Sequence, residues 1–231
     1  KPHAYFELHI EQGPILEQND MLIGVVKGGQ GVAWTKIQLA GKESHTGSTP
    51  MQMRRDAGLG AARIIILVNE IACKYLPHAV GTVGYVDIQP NSINIIPGTA
   101  TVSVDLRSAD YTILNAMKEQ LDFGVRQIAR DLSLAVSFEK LSDSSPVTFD
   151  ENCVATVRRA AEGLNYPHMD IISGAGHDAF WLNQAAPSAM IMCPCEAGLS
   201  HNEAEHITQE WAEAGANVLC RATIDIAEIV D

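Results

Sequence analysis

Apolar and polar residues alternate from Val32 to Leu39, from Val80 to Asp87 and from Thr99 to Leu106, and Leu134 to Leu141 forms a fourth strand-like run. A period of two is the mark of a half-buried strand. Two stretches between these runs carry the helical period instead. Arg54 to Tyr75 places Ala57, Ala61, Ile64, Ile65, Val68, Ile71 and Ala72 on one stripe and is stopped by Pro77. Tyr111 to Leu132 does the same with Ile113, Leu114, Met117, Leu121, Val125 and Ile128, behind Asp110 as N-cap. Gly41 to Pro50 is a small-residue loop, and Gln89-Pro90-Asn91-Ser92 turns the chain. From Val32 the order is therefore β-α-β-β-α-β, the ferredoxin-like arrangement.

Ser142-Asp143-Ser144-Ser145-Pro146 reads as a linker, and the pattern changes beyond it. A helix over Asn152 to Leu164, a short strand over Met169 to Ile172 and a helix over His177 to Ala185 follow, the last entered through Ser173-Gly174-Ala175-Gly176. Ala189 to Met192 is almost wholly apolar, as a strand covered on both faces must be. Gln209 to Ile229 predicts a long final helix. Helices alternating with short buried strands indicate an α/β sheet. The opening strand, Tyr5 to Ile10, turns at Glu11-Gln12-Gly13-Pro14 and is assigned to this same unit. The expected organisation is an α/β protein with a discontinuous domain, residues 1–23 and 142–231, into which a ferredoxin-like domain of residues 24–141 is inserted.

A hydrophobic share of 46% and a charged share of 19% leave no reason to expect disorder. The formal net charge of −12 argues against a nucleic-acid partner, because phosphates call for a basic surface. No apolar run reaches the length of a membrane span, and the longest, Ile64 to Val68, is a buried helix turn. The five cysteines, Cys73, Cys153, Cys193, Cys195 and Cys220, lack zinc-knuckle spacing and read as reduced thiols of a cytoplasmic protein. The chain opens Lys1-Pro2-His3 without an initiator Met or a signal peptide, directly into strand-like residues, so a cut within a longer protein is expected.

Candidate chemistry centres on histidines. His9, near the end of a strand, is either a metal ligand or a strand histidine satisfied by a backbone carbonyl. His201 lies in a loop after a buried strand, where α/β sheets place their sites, with Glu205 as a possible orienting partner and His206 as an alternative ligand. His177 stands at a helix start behind Gly174-Ala175-Gly176, either beside an anionic ligand or incidental to a helix capped by Asp178. His45 is in the loop Ser44-His45-Thr46-Gly47-Ser48-Thr49-Pro50, and Asn94 is in a turn before Ile95-Ile96-Pro97. Arg107 either forks onto a substrate carboxylate or pairs with Asp105 or Asp110. No Gly-x-Ser-x-Gly elbow or phosphate-binding glycine loop is present.

Several blocks in fixed order carry a resemblance: Phe6-Glu7-Leu8-His9-Ile10-Glu11-Gln12-Gly13-Pro14, Ser44 to Met51 with Arg54-Arg55-Asp56-Ala57, Gly81-Thr82-Val83-Gly84, Asn94 to Gly98, Ser173 to Ala179 and Gly198-Leu199-Ser200-His201-Asn202. Together they resemble the N-carbamoyl-L-amino-acid hydrolase, allantoate amidohydrolase and β-ureidopropionase family. The resemblance implies a metallo-aminopeptidase-like catalytic α/β domain with two zinc or manganese ions and an inserted lid that forms a homodimer. It implies His9 and His201 as metal ligands, Gln12 and His177 as substrate-holding residues, and His45, Asn94 and Arg107 as lid groups. Of these, His45 would polarise the scissile carbonyl and Arg107 would bind the substrate carboxylate, in either the same or the neighbouring subunit. A metal-bound water would then release ammonia and carbon dioxide from an N-carbamoyl or ureido acid.

The family's other ligands, a histidine, a bridging aspartate and a glutamate, and its general-base glutamate would lie upstream of Lys1. Two histidines cannot hold two metals, and Glu7 and Glu11 are not placed to substitute. The chain alone is therefore expected to be inactive and metal-free. Cys195 replaces the serine common in relatives. The rival readings are a non-catalytic dimerisation fragment, and an N-acyl-amino-acid or dipeptide hydrolase on the same scaffold.

Overall fold

In chain order the elements are β1 (Tyr5–Ile10), α1 (Ile15–Gln18), β2 (Ile23–Gly29), β3 (Gly31–Ala40), β4 (Ser44–His45) and α2 (Ala57–Lys74). Then come β5 (Ala79–Gln89), β6 (Ile95–Ile96), β7 (Thr99–Ser108), α3 (Tyr111–Asp131), β8 (Ala135–Ser144) and β9 (Val147–Thr148). The chain closes with α4 (Glu151–Gly163), β10 (His168–Ser173), α5 (Asp178–Leu182), β11 (Ser188–Cys193) and α6 (Gln209–Ile226). This computed structural model describes residues 2–227. The last residues of the expected final helix, 228 and 229, lie outside the described residues.

The chain divides into two units, Lys1–Gln30 with Val147–Asp231, and Gly31–Pro146. The boundaries expected at residues 23 and 142 are thus corrected to 30 and 147. The first shift has a clear cause: Ile23–Gly29 is a strand that pairs with β10 and β11 of the first unit. Its sides are almost wholly buried, so no polar alternation marks it. The second shift arises because β8 runs on to Ser144, pairing Ser144 with Val32 and Asp143 with Ala33, where a linker was expected.

The inserted unit has a four-stranded antiparallel sheet in the order β5-β7-β3-β8, the ferredoxin-like order. Strand β7 alternates cleanly: Ala100, Val102, Val104 and Leu106 are buried in a core shared with α2 and α3. Thr101, Ser103, Asp105 and Arg107 consequently face the other way. Helix α2 begins at Ala57, the first residue of its apolar stripe and three residues after the expected start at Arg54. There Asp56 accepts the Leu59 N–H at 3.0 Å as N-cap, and Met51–Met53 form a separate 3-10 turn. Asp110 caps α3 as expected, accepting from Thr112 and Ile113. Each such cap stabilises its helix by about 1 kcal/mol.

The first unit has a mixed sheet in the order β1-β11-β2-β10, with β9 added beside β2. Strand β11 runs parallel to β1 and antiparallel to β2, and all six of its residues are buried. Its core gathers Ile23, Val25, Val26, Met190, Ile191 and Met192 with Val157 of α4 and Val218 of α6. On the edge strand β1, Leu8 points to α6, where a side chain at Gly215 would meet its Cδ1 at 2.7 Å. Glu7 and His9 therefore lie on the opposite face, the side of α5.

Asp170 of β10 links three elements, meeting Arg158 Nη2 of α4 at 2.7 Å and Lys27 Nζ of β2 at 3.4 Å. The hydrogen bond from Arg158 holds its carboxyl below the ordinary value of 3.8. Because the folded value is the lower one, this stabilisation is complete above 3.8 and is lost as pH falls below it. In urea titrations across the acid range, Asp170→Asn is expected to flatten the fall in stability below that pH. A variant with the wild-type acid slope would contradict this linkage.

Candidate functional site

Strand β1 and the turn after it carry two of the expected site residues, His9 and Gln12, and the start of α5 adds a third, His177. His9 Nδ1 lies 2.8 Å from the Ile10 carbonyl, and since a carbonyl only accepts, Nδ1 carries the proton in the neutral ring. Nε2 keeps its lone pair. This is the arrangement that imidazole ligands commonly adopt, with the second nitrogen donating to an outer partner. It is also what a strand histidine satisfied by a backbone carbonyl looks like, so both readings of the sequence describe the same contact.

His177 is brought edge-on to His9, with ring centroids 4.6 Å apart. Its side chain is 1% exposed, with Nε2 2.8 Å from Ser173 Oγ and Nδ1 3.8 Å from Glu7 Oε1. Burial first, and next the neighbouring His9, push its pKa down to about 4, against an upward pull from Asp178. The ring is therefore neutral near pH 7, and its approach to Glu7 is not an ion pair. Asp178 does not cap α5. That place is taken by Glu7, whose Oε2 accepts the Ala179 N–H at 2.7 Å.

Gln12 leaves β1 with a left-handed backbone (φ 58°) and donates from Nε2 to Ser200 Oγ at 2.7 Å. That bond ties the end of β1 to the residue before His201. His201 is exposed, also left-handed (φ 55°), and its backbone N–H donates to Glu205 Oε2 at 3.0 Å, so Glu205 holds the loop through the main chain. His206 contributes its backbone carbonyl to Glu196 N at 2.9 Å. Two more carboxylates act on backbone: Glu11 accepts from Ile15 N and Leu16 N at 2.8 and 2.7 Å, and Glu17 from Ala197 N at 2.9 Å. Glu7 and Glu11 are thus both committed to helix starts.

The inserted unit brings His45 and Asn94 together. Strand β4 pairs with β6 in the register His45 to Ile95, and Thr46 N donates to the Asn94 carbonyl at 3.1 Å. His45 Nδ1 accepts from Gly47 N at 3.0 Å and Ser48 N at 3.2 Å. Two donors on one nitrogen require its lone pair, so in the neutral ring the proton sits on Nε2. The loop itself is held by Arg54, which donates to Thr49 O at 3.1 Å and Thr46 O at 2.5 Å. Arg107 lies near the far end of β7, bonded to Asp105 Oδ2 at 2.7 Å and 5.9 Å from the centre of the Trp34 ring.

Sequence reasoning missed Glu7 and Ser173 as partners of His177, and Arg54 as the residue that holds the His45 loop. Glu7 had a usable signal, since a residue two before His9 on a strand shares its face. Ser173 and Arg54 had none, because loop closure brings them in. All five cysteines are free, and Cys153, Cys193 and Cys195 are buried. Burial pushes the Cys153 and Cys193 thiols up to about 11, which keeps them protonated. Among the described residues no group of three or more His, Cys, Asp or Glu could hold a metal ion. None of their helices is long and apolar enough to cross a membrane.

The model of peptidase family M20/M25/M40 matches residues 1–225. An N-carbamoyl-L-amino-acid amidohydrolase of Rhizobium meliloti is 52% identical over 231 residues, 100% of this chain and 56% of that protein. The allantoate amidohydrolase of Escherichia coli is 37% identical over 204 residues, 87% of this chain and 49% of that enzyme. Among solved structures, a hydantoinase/carbamoylase-family amidase from Burkholderia multivorans matches with a TM-score of 0.95 and 51% identity, over 99% of this chain and 56% of that one. The chain thus spans about half the length of the curated relatives it matches.

The loop that carries His201 depends on Gly198, which is left-handed (φ +65°) and where an added Cβ would meet Gly13 C and Pro14 N at 2.7 Å. Backbone cannot yield as a side chain can. Gly198→Ala is expected to lower unfolding free energy by more than ~1 kcal/mol in urea titrations. Gly163→Ala, which meets nothing within 4 Å, is the control and should be at or above wild type. Equal midpoints for the two variants would contradict the close approach.

Proposed function

Because the chain belongs to peptidase family M20/M25/M40, we propose that the protein built on it hydrolyses the carbamoyl C–N bond of an N-carbamoyl-L-amino acid or a related ureido acid. The observation that carries this reading is the 52% identity to an N-carbamoyl-L-amino-acid amidohydrolase over the whole chain. The products are ammonia, carbon dioxide and a free amino acid.

The donor set fits two divalent metal ions only in part. His9, with Nδ1 committed to a carbonyl, offers Nε2 as a ligand, and His201 is the second candidate. The remaining ligands are not among the described residues. When bound, such ions (zinc or manganese) supply an activated water and an electrophile. This chain's own residues bind and orient. His45 presents Nε2–H as a donor, the polarity needed to stabilise negative charge developing on a carbonyl oxygen. Asp105 holds the Arg107 guanidinium in place as a fork for the substrate carboxylate, with Gln12, Asn94 and His177 as further substrate contacts.

The spacing within the inserted unit bears on how these groups are shared. Strand β4, with His45, follows β3 on the side where β3 pairs with the start of β7, and Arg107 is eight residues along β7 from Thr99, a run of roughly 26 Å at ~3.3 Å per residue. That run is longer than a small ureido acid, so our reading is that His45 and Arg107 serve two sites of a homodimer. Strand β5 is the surface for that pairing. It is an edge strand with Val80, Tyr85 and Val86 exposed and Asp87 as its single charge, whereas the other edge, β8, carries Glu139, Lys140 and Asp143. Charged residues protect an edge and apolar ones invite pairing. The free cysteines suit a reducing cytoplasm.

Two measurements test this. With manganese or zinc, the full-length protein is expected to release ammonia from N-carbamoyl-L-amino acids faster than it cleaves N-acetyl analogues, and the present chain alone to release none. No ammonia from any carbamoyl or ureido acid rejects the substrate class, and faster acetyl cleavage moves it to N-acyl hydrolysis. Light scattering should show a dimer that Val86→Lys converts to monomer. A monomeric wild type would reject the shared-site arrangement.

A further inference from the structure

The contacts of His177 contain more than a substrate-binding role requires. Hydroxyl, imidazole and carboxylate follow one another as Ser173 Oγ, His177 and Glu7, at 2.8 Å and 3.8 Å. That order is found in nucleophilic triads, but Ser173 is 1% exposed and no substrate carbonyl reaches it. Its hydroxyl instead closes the turn after β10, accepting from Ala175 N at 3.2 Å and placed to donate to the Ala175 carbonyl at 3.1 Å. Glu7 is equally fixed: Oε2 holds the start of α5 through Ala179 N, with Tyr5 Oη 3.3 Å away, while Oε1 faces the imidazole.

From this geometry we propose that Glu7 and Ser173 are positioning residues that fix the ring and tautomer of His177 and, through its edge contact, the ring of His9. The argument rests on what each partner can do. A serine hydroxyl rotates, so its 2.8 Å contact with Nε2 can run in either direction. A carboxylate only accepts, and it repels a lone pair. Glu7 therefore selects the form with the proton on Nδ1, and Ser173 turns its single hydroxyl proton from the Ala175 carbonyl at 3.1 Å to the nearer Nε2 at 2.8 Å. The locked ring of His177 then stands against His9 with centroids 4.6 Å apart and planes at 62°. His9 is held on its other side by the Ile10 carbonyl, which aims its Nε2. The His9 part of this inference rests on the ligand role proposed above for that residue.

The test is long-range proton–nitrogen NMR of the histidine-labelled chain near pH 7, with Glu7→Gln, Ser173→Ala and Ser173→Thr. Glutamine keeps an acceptor for Ala179 N–H, so it separates the charge from the cap. The expected result is a single His177 tautomer with Nδ1–H in the wild type and in Ser173→Thr. Glu7→Gln and Ser173→Ala should shift it towards Nε2–H and move the ring signals of His9, with the amide spectrum of α5 retained. An Nε2–H tautomer in the wild type, or His9 signals that ignore both variants, overturns the proposal.

In the full-length protein the same two variants should lower kcat or metal affinity roughly 10–100-fold with little change in KM, Ser173→Thr again resembling wild type. Wild-type kinetics in both variants overturn the proposal as well. A full-length wild type without hydrolytic activity, alongside the expected NMR shifts, supports the positioning of the rings and removes the substrate class instead.

Discussion

The site is organised by the alternation of one edge strand. In β1, Leu8 must face the core under α6, and a strand that points one residue inwards points its neighbours the other way. Glu7 and His9 are therefore delivered together to the side of α5, where polar groups need partners because water is largely excluded. Shifting β1 by one residue against β11 would send both into the apolar core and Leu8 out of it. The parallel register, Leu8 opposite Ile191 and His9 opposite Met192, is what the histidine pair depends on.

Around that pair, carboxylates work on backbone. Glu7, Glu11 and Glu17 each accept main-chain N–H groups that would otherwise be unsatisfied, at the starts of α5 and α1 and at the turn before Gly198. The loops that bear His177 and His201 are thereby fixed at their bases, and Gln12 adds a cross-link to Ser200. A charge-assisted bond to a backbone N–H is among the stronger ways to hold an irregular segment. Each of these glutamates thus spends at least one oxygen on the backbone.

The inserted unit uses backbone donors differently. Gly47 and Ser48 point their N–H groups at one nitrogen of His45 and so decide where its proton lies, while Arg54 holds the carbonyls of the same loop. In both units the protonation form of an imidazole is set by main-chain geometry. That makes it a property of the fold rather than of the solvent.

The sequence alone determined the strands and helices of the inserted unit, because each has one wet and one buried face and so a readable period; β7 and α3 match their expected positions closely. It also determined which histidines were candidates, through their motifs. It could not mark β2, whose two buried faces leave no alternation, or the run of β8 through Ser142, Asp143 and Ser144, which pair with β3 despite a linker-like composition. Only the tertiary structure decided that His177 meets His9, that Ser173 and Glu7 meet His177, and that Asp105 takes Arg107. The meetings around His177 join residues on different strands and loops, while the Asp105–Arg107 pair lies within β7 and was one of two readings the sequence left open; a one-dimensional pattern records which face a residue occupies but not which distant face lies against it.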